Sequence, residues 1–330
     1  MNQRIFQLIK RLLIVIASIL LLSVIVFTMS RLAPGDPLIA YYGEQAEKLS
    51  VEEREWAMER LGLNDPLPQQ YGRWLKQAAQ GELGLSYKYK QPVMQVISAR
   101  MGNSVLLVGS SFVLLCVLSL LLGCICACYE DSLIDKLLRR SGIVFSCLPE
   151  FWFSLLLILL FSVLLPLFPS SGAHCIGRAD SIADRLHHLV LPLAAVLISH
   201  AWYYAYLVRN KLCEEVRAEY VLLAKAKGLS RLRILLWHCL PNVLPGYISL
   251  MVLALPHILG GTYVVEAVFS YPGLGALIYE SARYHDYNLL MVLSLFTGAV
   301  VIAANMLAQA LNERIDPRTA GINTEVSYYD

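Results

Sequence analysis

No glycine in this chain is followed by a lysine, so the G-x-x-x-x-G-K-[ST] loop that cradles nucleotide phosphates is missing. If transport or other work here is driven by ATP, the motor is another polypeptide. The H-E-x-x-H, G-x-S-x-G and C-x-x-C patterns are missing too, so His174, Cys175, His187 and His188, which could bind a metal, do not point to a membrane hydrolase. Charge is scarce. Asp, Glu, Lys and Arg make up 16% of the 330 residues against 57% hydrophobic, and the mean hydropathy is +0.56. An ordinary soluble domain is excluded, because the apolar residues come in long uncharged runs. A net charge of +2, with the basic residues spread along the chain, leaves no footprint for nucleic acid. No internal repeat is visible either, so a two-fold transporter folded from one polypeptide is not expected and symmetry would come from a second subunit.

What is present is six apolar runs near the length of about 20 residues that spans a bilayer: 12–30, 103–129, 151–168, 189–208, 243–265 and 288–311. They predict an all-α integral membrane protein. The first run follows Arg4, Lys10 and Arg11 and meets no small-x-small cleavage site before Arg31, so it reads as an uncleaved span. That basic cluster, together with Lys136, Arg139 and Arg140 and the basic residues from Arg209 to Arg233, predicts cytoplasmic N- and C-termini. None of the six runs contains Asp or Glu, which argues against an ion-driven carrier or channel as the alternative function. Of eight cysteines only Cys175 is predicted to face outside, so no external disulfide within one chain is expected. Cys124, Cys126 and Cys128 alternate around a helix and read as small hydrophobes rather than as one metal site.

Residues 31–100 form the one stretch long enough for a small layer outside the bilayer. Ser50-Val51-Glu52-Glu53 is a capping box, the helix it opens closes at Gly62, and 69–80 predicts a second short helix carrying Tyr71, Trp74 and Leu75. The domain reading is therefore a tail and first span over 1–30, an external helical loop over 31–100, a membrane core over 101–311 with a cytoplasmic loop at 209–242, and a tail over 312–330.

Between the fourth and fifth runs lies EYVLLAKAKGLSRLRILLWHCLPNVLP, Glu219 to Pro245. Tyr220 to Lys227 are good helix formers and Gly228 stands where a left-handed closing residue costs least. Ser230 is then placed to cap a second helix, Arg231 to Cys239, which Pro241 is expected to interrupt. Ala224 and Ala226 would keep one face flat while Lys225, Lys227, Arg231 and Arg233 stay in water. A basic helix-turn-helix beside a membrane is either a solvated connector or a docking knob.

Three stretches in order resemble the permease subunit of binding-protein-dependent ABC importers, in the peptide and nickel branch. RLLIVIASILLLSVIVFTMSRLAPGDP with LGLNDPLPQQYGRWLKQAAQGELGLSYKYKQPV is similar to its first span and external loop. AKAKGL followed by His238-Cys239-Leu240-Pro241 is similar to its coupling loop, with Leu222 and Leu223 where the Glu and first Ala of the general pattern stand. VVEAVFSYPGLGALIYESARYHDY, Asn305 and IDPR at Ile315 to Arg318 are similar to its last loop, sixth helix and tail; His285 takes a place usually held by Arg. The resemblance implies the six-helix type I importer permease fold in the cytoplasmic membrane. It implies a second homologous permease subunit, two ATPase subunits and an external solute-binding protein as partners, with ATP and Mg used by the ATPases and no cofactor held by this chain. It places contact with the ATPase at Ala224, Lys225, Ala226, Lys227, Gly228, Leu229, Leu240 and Pro241. Glu266, Pro272, Gly273, Gly275 and Asp286 fall at the external mouth of the path.

His200 and His257 lie within the fourth and fifth runs, where an ionisable group is a functional candidate by default. Each is either a neutral imidazole satisfied by a nearby carbonyl or a contact along the translocation path. Di- and oligopeptides and nickel complexes all remain open as cargo.

Overall fold

A computed structural model describes residues 2–32, 38–86, 88–178 and 180–315 of the chain. Ala33 to Pro37 of the first resembling stretch, Asp316, Pro317 and Arg318 of the last, and the tail from 316 on lie outside the described residues. In chain order the helices are α1 (Asn2–Leu32), α2 (Ile39–Tyr42), α3 (Val51–Leu61), α4 (Leu67–Ala79), α5 (Val93–Cys128), α6 (Leu133–Cys147) and α7 (Glu150–Leu157). They continue as α8 (Ile182–Val216), α9 (Glu219–Ala226), α10 (Arg231–Ile234), α11 (Leu240–Val268), α12 (Leu274–Arg283) and α13 (Tyr287–Ile315). Strand is limited, among the described residues, to a hairpin of β1 (Leu85–Ser86) and β2 (Gln91–Pro92).

Among the described residues, five helices are long and apolar enough to cross a membrane, or six if one bent pair counts as a span. A helix closes all its own backbone hydrogen bonds, which is why uncharged runs of this length take that form in lipid. The third predicted run, 151–168, is helical from Glu150 to Leu164, as α7 continued by a π-helical stretch over Ile158–Leu164. It passes as a span only together with α6, from which it is bent by 102° just ahead of the run. The bend has a local cause: Pro149 bars helical geometry at Leu148, which is extended at φ −92° and ψ 135°.

The chain packs as two units, Met1–Gly102 with Gly273–Ile302, and Asn103–Pro272 with Ala303–Asp330. In the first, Phe27 of α1 packs against Tyr71 and Trp74 of α4, with ring centroids at 5.4 Å and 6.0 Å, and the Ser23 and Tyr71 hydroxyls lie 2.7 Å apart. Ser50 and Glu53 form the expected capping box, and Gly62 closes α3 in the left-handed region at φ 60°. The second short helix begins at Leu67, two residues earlier than expected, with Pro68 in its first turn where no N–H is missed.

The hairpin is clamped to the helices of its own unit. Lys88 Nζ and Tyr89 Oη reach Glu280 Oε2 at 2.8 Å and 2.5 Å, and Ser86 donates to Asp286. Burial opposes ionisation of Glu280, yet the Lys88 and Tyr89 bonds outweigh it and hold its carboxyl below the usual range, while burial and Glu280 push Tyr89 up to about 12. On the acid side the clamp is therefore complete at neutral pH and is lost as pH falls through that lowered value.

The second unit has one large core, built from α5, α7, α8, α9 and α11 around Leu212, Val221, Leu235, Cys239, Ala254 and Ile258. Gly123 lets α5 and α8 approach closely: a Cβ there would lie 2.5 Å from Val208. Cys126 is buried and Cys124 and Cys128 are half-buried, as expected for packed thiols.

Candidate functional site

The connection between α8 and α11 is the helix-turn-helix expected from the sequence, with two corrections. α9 ends in a Schellman arrangement: Gly228 N–H donates to Lys225 O at 2.9 Å and Leu229 N–H to Ala224 O at 3.3 Å, with Gly228 at φ 73°. Ser230 occupies the cap position of α10 with extended backbone, but its side chain makes no capping bond. Pro241 does not interrupt the second helix. The helix runs from Arg231 to Val268, because a π-helical turn at Leu235–Cys239 widens the coil where Pro241 offers no N–H.

Exposure assigns the faces. Ala224 is buried against the core, so it is not part of the flat outer surface expected of it, and Leu229 and Leu240 pack on that same core. The outward face carries Leu222, Leu223, Lys225, Ala226, Lys227 and Gly228, continued by Leu232, Leu236 and Trp237, the last 76% exposed. Pro241 is exposed as well. Leu222 and Leu223 thus place apolar side chains on this face beside Lys225 and Lys227.

Two polar clusters hold the knob in place. On one flank Tyr220 Oη and Asn242 Nδ2 both donate to Glu215 Oε1, at 2.8 Å and 3.0 Å, tying α9 to the ends of α8 and α11. On the other flank Glu130 meets Arg217 at 2.8 Å and Arg209 and Arg231 at 3.9 Å each. Arg231 also donates to Ala127 O at 3.3 Å in the last turn of α5, a favourable place for a cation. Beside it, fully buried Asp135 of α6 receives Arg209 through Nε at 3.1 Å and Nη2 at 2.8 Å. The same carboxylate accepts the N–H of Asp131, a non-glycine residue held at φ 62°. These groups were not among the sequence candidates. Ser132-x-x-Asp135 is a capping pattern that could have drawn attention to Asp135, and Ser132 does accept the Asp135 N–H.

In α8, His200 makes the carbonyl contact of the satisfied-imidazole reading. Its Nδ1 lies 3.0 Å from Val196 O, and its Nε2 lies 3.6 Å from Glu150 Oε1 at the start of α7. Gly261 of α11 makes room for that carboxylate, since a Cβ there would lie 2.4 Å from Glu150 Oε1. Glu150 stands one residue ahead of the third apolar run and so is not among the residues of the six runs. His257 is exposed on α11 and makes no hydrogen bond among the described residues.

Glu266 is fully buried in the last turn of α11 and accepts from Ser104 Oγ at 2.6 Å, while Asn103 Nδ2 donates to Pro272 O at 2.9 Å. Gly273 precedes α12, and Gly275 is buried inside it. Asp286 is buried and caps α13 by accepting the Leu289 N–H, besides holding the hairpin. Among the described residues, the group with metal-ligand character is Cys175, Asp184 and His188, whose donor atoms lie within 4.8 Å of one another. Asp184 already accepts the Cys175 N–H at 2.6 Å and sits in the capped first turn of α8.

The family profile described as binding-protein-dependent transport system inner membrane component matches residues 119–321, and its N-terminal companion matches residues 5–108. The chain belongs to this family. It is 34% identical to the oligopeptide transport system permease protein AppB of Bacillus subtilis over 94% of this chain and 98% of AppB. A putative peptide permease protein of Brucella suis is 33% identical over 93% of this chain and 97% of its own length. The metal-staphylopine import system permease protein CntB of Staphylococcus aureus is 28% identical over 94% and 96%. Among solved structures, an inward-facing MetNI methionine ABC transporter matches with a TM-score of 0.50 at 17% identity, covering 66% of this chain and 97% of that chain. Their shared fold is that of an all-α ABC importer permease. Membership makes this chain a multi-pass inner membrane component of such a system, so the carrier or channel alternative is set aside.

Proposed function

We propose that this permease forms half of the pathway of an ABC importer, with both termini in the cytoplasm and a homologous permease as its partner. α9, Gly228 and α10 form the knob that seats in an ATPase subunit, and an external binding protein delivers cargo at the opposite end. The observation that carries this reading is the exposed Leu222, Leu223, Ala226 and Gly228 face, braced on both flanks by Glu215 and Glu130. A braced helical pair moves as a rigid lever, and a few kcal/mol of differential affinity between two ATPase states is enough to shift the permease between its own states. The basic short loops beside α6 and around α9 support the orientation.

For cargo we favour peptides, because the two relatives above named for peptides are 34% and 33% identical, against 28% for CntB, named for a metal complex. Glu150 and His200 are the groups we place on the path, where a carboxylate at membrane depth would meet a cationic part of the cargo. Uptake of labelled dipeptide, oligopeptide and nickel into proteoliposomes holding the assembled importer, its binding protein and internal ATP tests the assignment. Peptide uptake that requires both ATP and the binding protein is expected, and uptake without ATP would overturn it. In the same assay Glu150→Gln is expected to lower uptake about tenfold, the loss of one charge-assisted contact. Uptake equal to wild type would remove Glu150 from the path.

A further inference from the structure

We infer that the second unit carries a binding site for one anionic phospholipid. The site is a cavity of about 680 Å³ between the end of α5, the length of α6 and the second half of α8. Lys136, Arg139, Arg140 and Arg209 line it, and no carboxylate does. Arg209 is committed to Asp135, and Arg139 lies 3.4 Å from Asp135 and 3.7 Å from Asp131. Lys136 and Arg140 form no ion pair among the described residues. Arg209 and Arg139 are thus matched by Asp135, Asp131 and, for Arg209, Glu130 at 3.9 Å, which leaves the charge of Lys136 and Arg140 facing the cavity without an ion-pair partner among the described residues.

The polarity of the cavity runs along its length. α6 and α8 are antiparallel there, since Asp135 near the start of α6 meets Arg209 late in α8, while Gly142 and Phe145 meet Trp202 earlier in α8. All four cations therefore gather at the Asp135 end. Leu122, Ile143 and Trp202 form an apolar wall away from them, and Phe145 stacks on Trp202 at 5.5 Å. Tyr203 and Tyr206, 54% and 50% exposed, stand at the opening with the amphipathic character of residues at a membrane surface. A basic end and an apolar end in one crevice between membrane helices match a phosphate headgroup with acyl chains above it. A soluble phosphate would leave the apolar wall uncovered, so the lipid is the occupant that fits both ends. In the proposed orientation the basic end faces the cytoplasmic leaflet, where anionic headgroups concentrate; the binding measurement itself does not depend on that orientation.

Native mass spectrometry of the detergent-solubilised assembled importer, titrated with phosphatidylglycerol or phosphatidylcholine, tests the site. The wild type should retain phosphatidylglycerol preferentially. Lys136→Gln with Arg140→Gln, which breaks no ion pair within the chain, should lower that retention about tenfold or more to the phosphatidylcholine level, with an unchanged melting temperature. Equal retention of the two lipids by the wild type, or undiminished phosphatidylglycerol in the double variant, would overturn the proposal. Displacement of the lipid by millimolar inorganic phosphate would make this a phosphate site and overturn the lipid assignment. The exposed thiol of Cys147 at the apolar end supplies a further reading. Cross-linking of Cys147 to the partner permease would show that protein covers the cavity, and would contradict lipid occupancy.

Discussion

Gly228→Asp is expected to leave the protein inserted at the wild-type level and to lower ATP-driven uptake about a hundredfold, equivalent to about 3 kcal/mol of lost docking energy. The structure separates the two ways in which this glycine matters. A Cβ at Gly228 would meet nothing within 4 Å, so the first atom of a side chain there has open space. The backbone is left-handed at φ 73°, which costs most L-residues about 1–2 kcal/mol but is tolerated by Asp and Asn. Aspartate can thus keep the Schellman turn while placing a carboxylate on the face proposed to meet the ATPase. Gly228→Asn, with the same shape and no charge, should retain most uptake. If the Asn variant fails as badly as the Asp variant, the effect lies in the turn rather than in the docked surface; wild-type uptake by Gly228→Asp would remove the knob from the mechanism.

The second large effect concerns the brace. Asp135 is 0% exposed and Arg209 11% exposed at the side chain, so Asp135→Leu leaves a guanidinium with its principal partner gone and the Asp131 N–H without its acceptor. Removing one partner of a buried ion pair costs about 3–5 kcal/mol, whereas replacing both by apolar residues costs far less. Asp135→Leu should therefore melt well below the wild type and accumulate poorly in the membrane. Asp135→Leu with Arg209→Leu should recover part of that loss, although Glu130 then loses one of its arginines. Additive destabilisation by the two substitutions would show that the pair is not a coupled unit.

These two residues show what the sequence could and could not reveal. Gly228 is legible because it acts locally: a run of helix formers, one glycine and a new helix define the turn without help from the rest of the fold. The same holds for Ser50, Glu53 and Gly62, and for the long apolar runs that lipid forces into helices. Asp135 meets Arg209, and Glu150 meets His200, across long intervals of sequence, and no periodicity connects them. Pro241 misled for a related reason. Its missing N–H is a local fact, but the π-helical turn that absorbs it is held by Leu235 and Cys239 in the core. Ala224 looked like surface because Ala suits a flat face, while its burial depends on how α9 leans on the core. Leu274 to Arg283 follows Gly273, which has no side chain to cap a helix and so does not announce one.

The central claim is that the exposed face around Gly228 meets the ATPase and responds to its nucleotide state. The most direct measurement is site-specific cross-linking from Lys227→Cys, an exposed position beside the hinge, with Cys147 and Cys175 changed to serine. In the assembled importer, a cross-link to the ATPase subunit is expected whose yield differs between the nucleotide-free and ATP-bound states. ATP-driven uptake that persists in this variant without any cross-link to the ATPase would contradict the account.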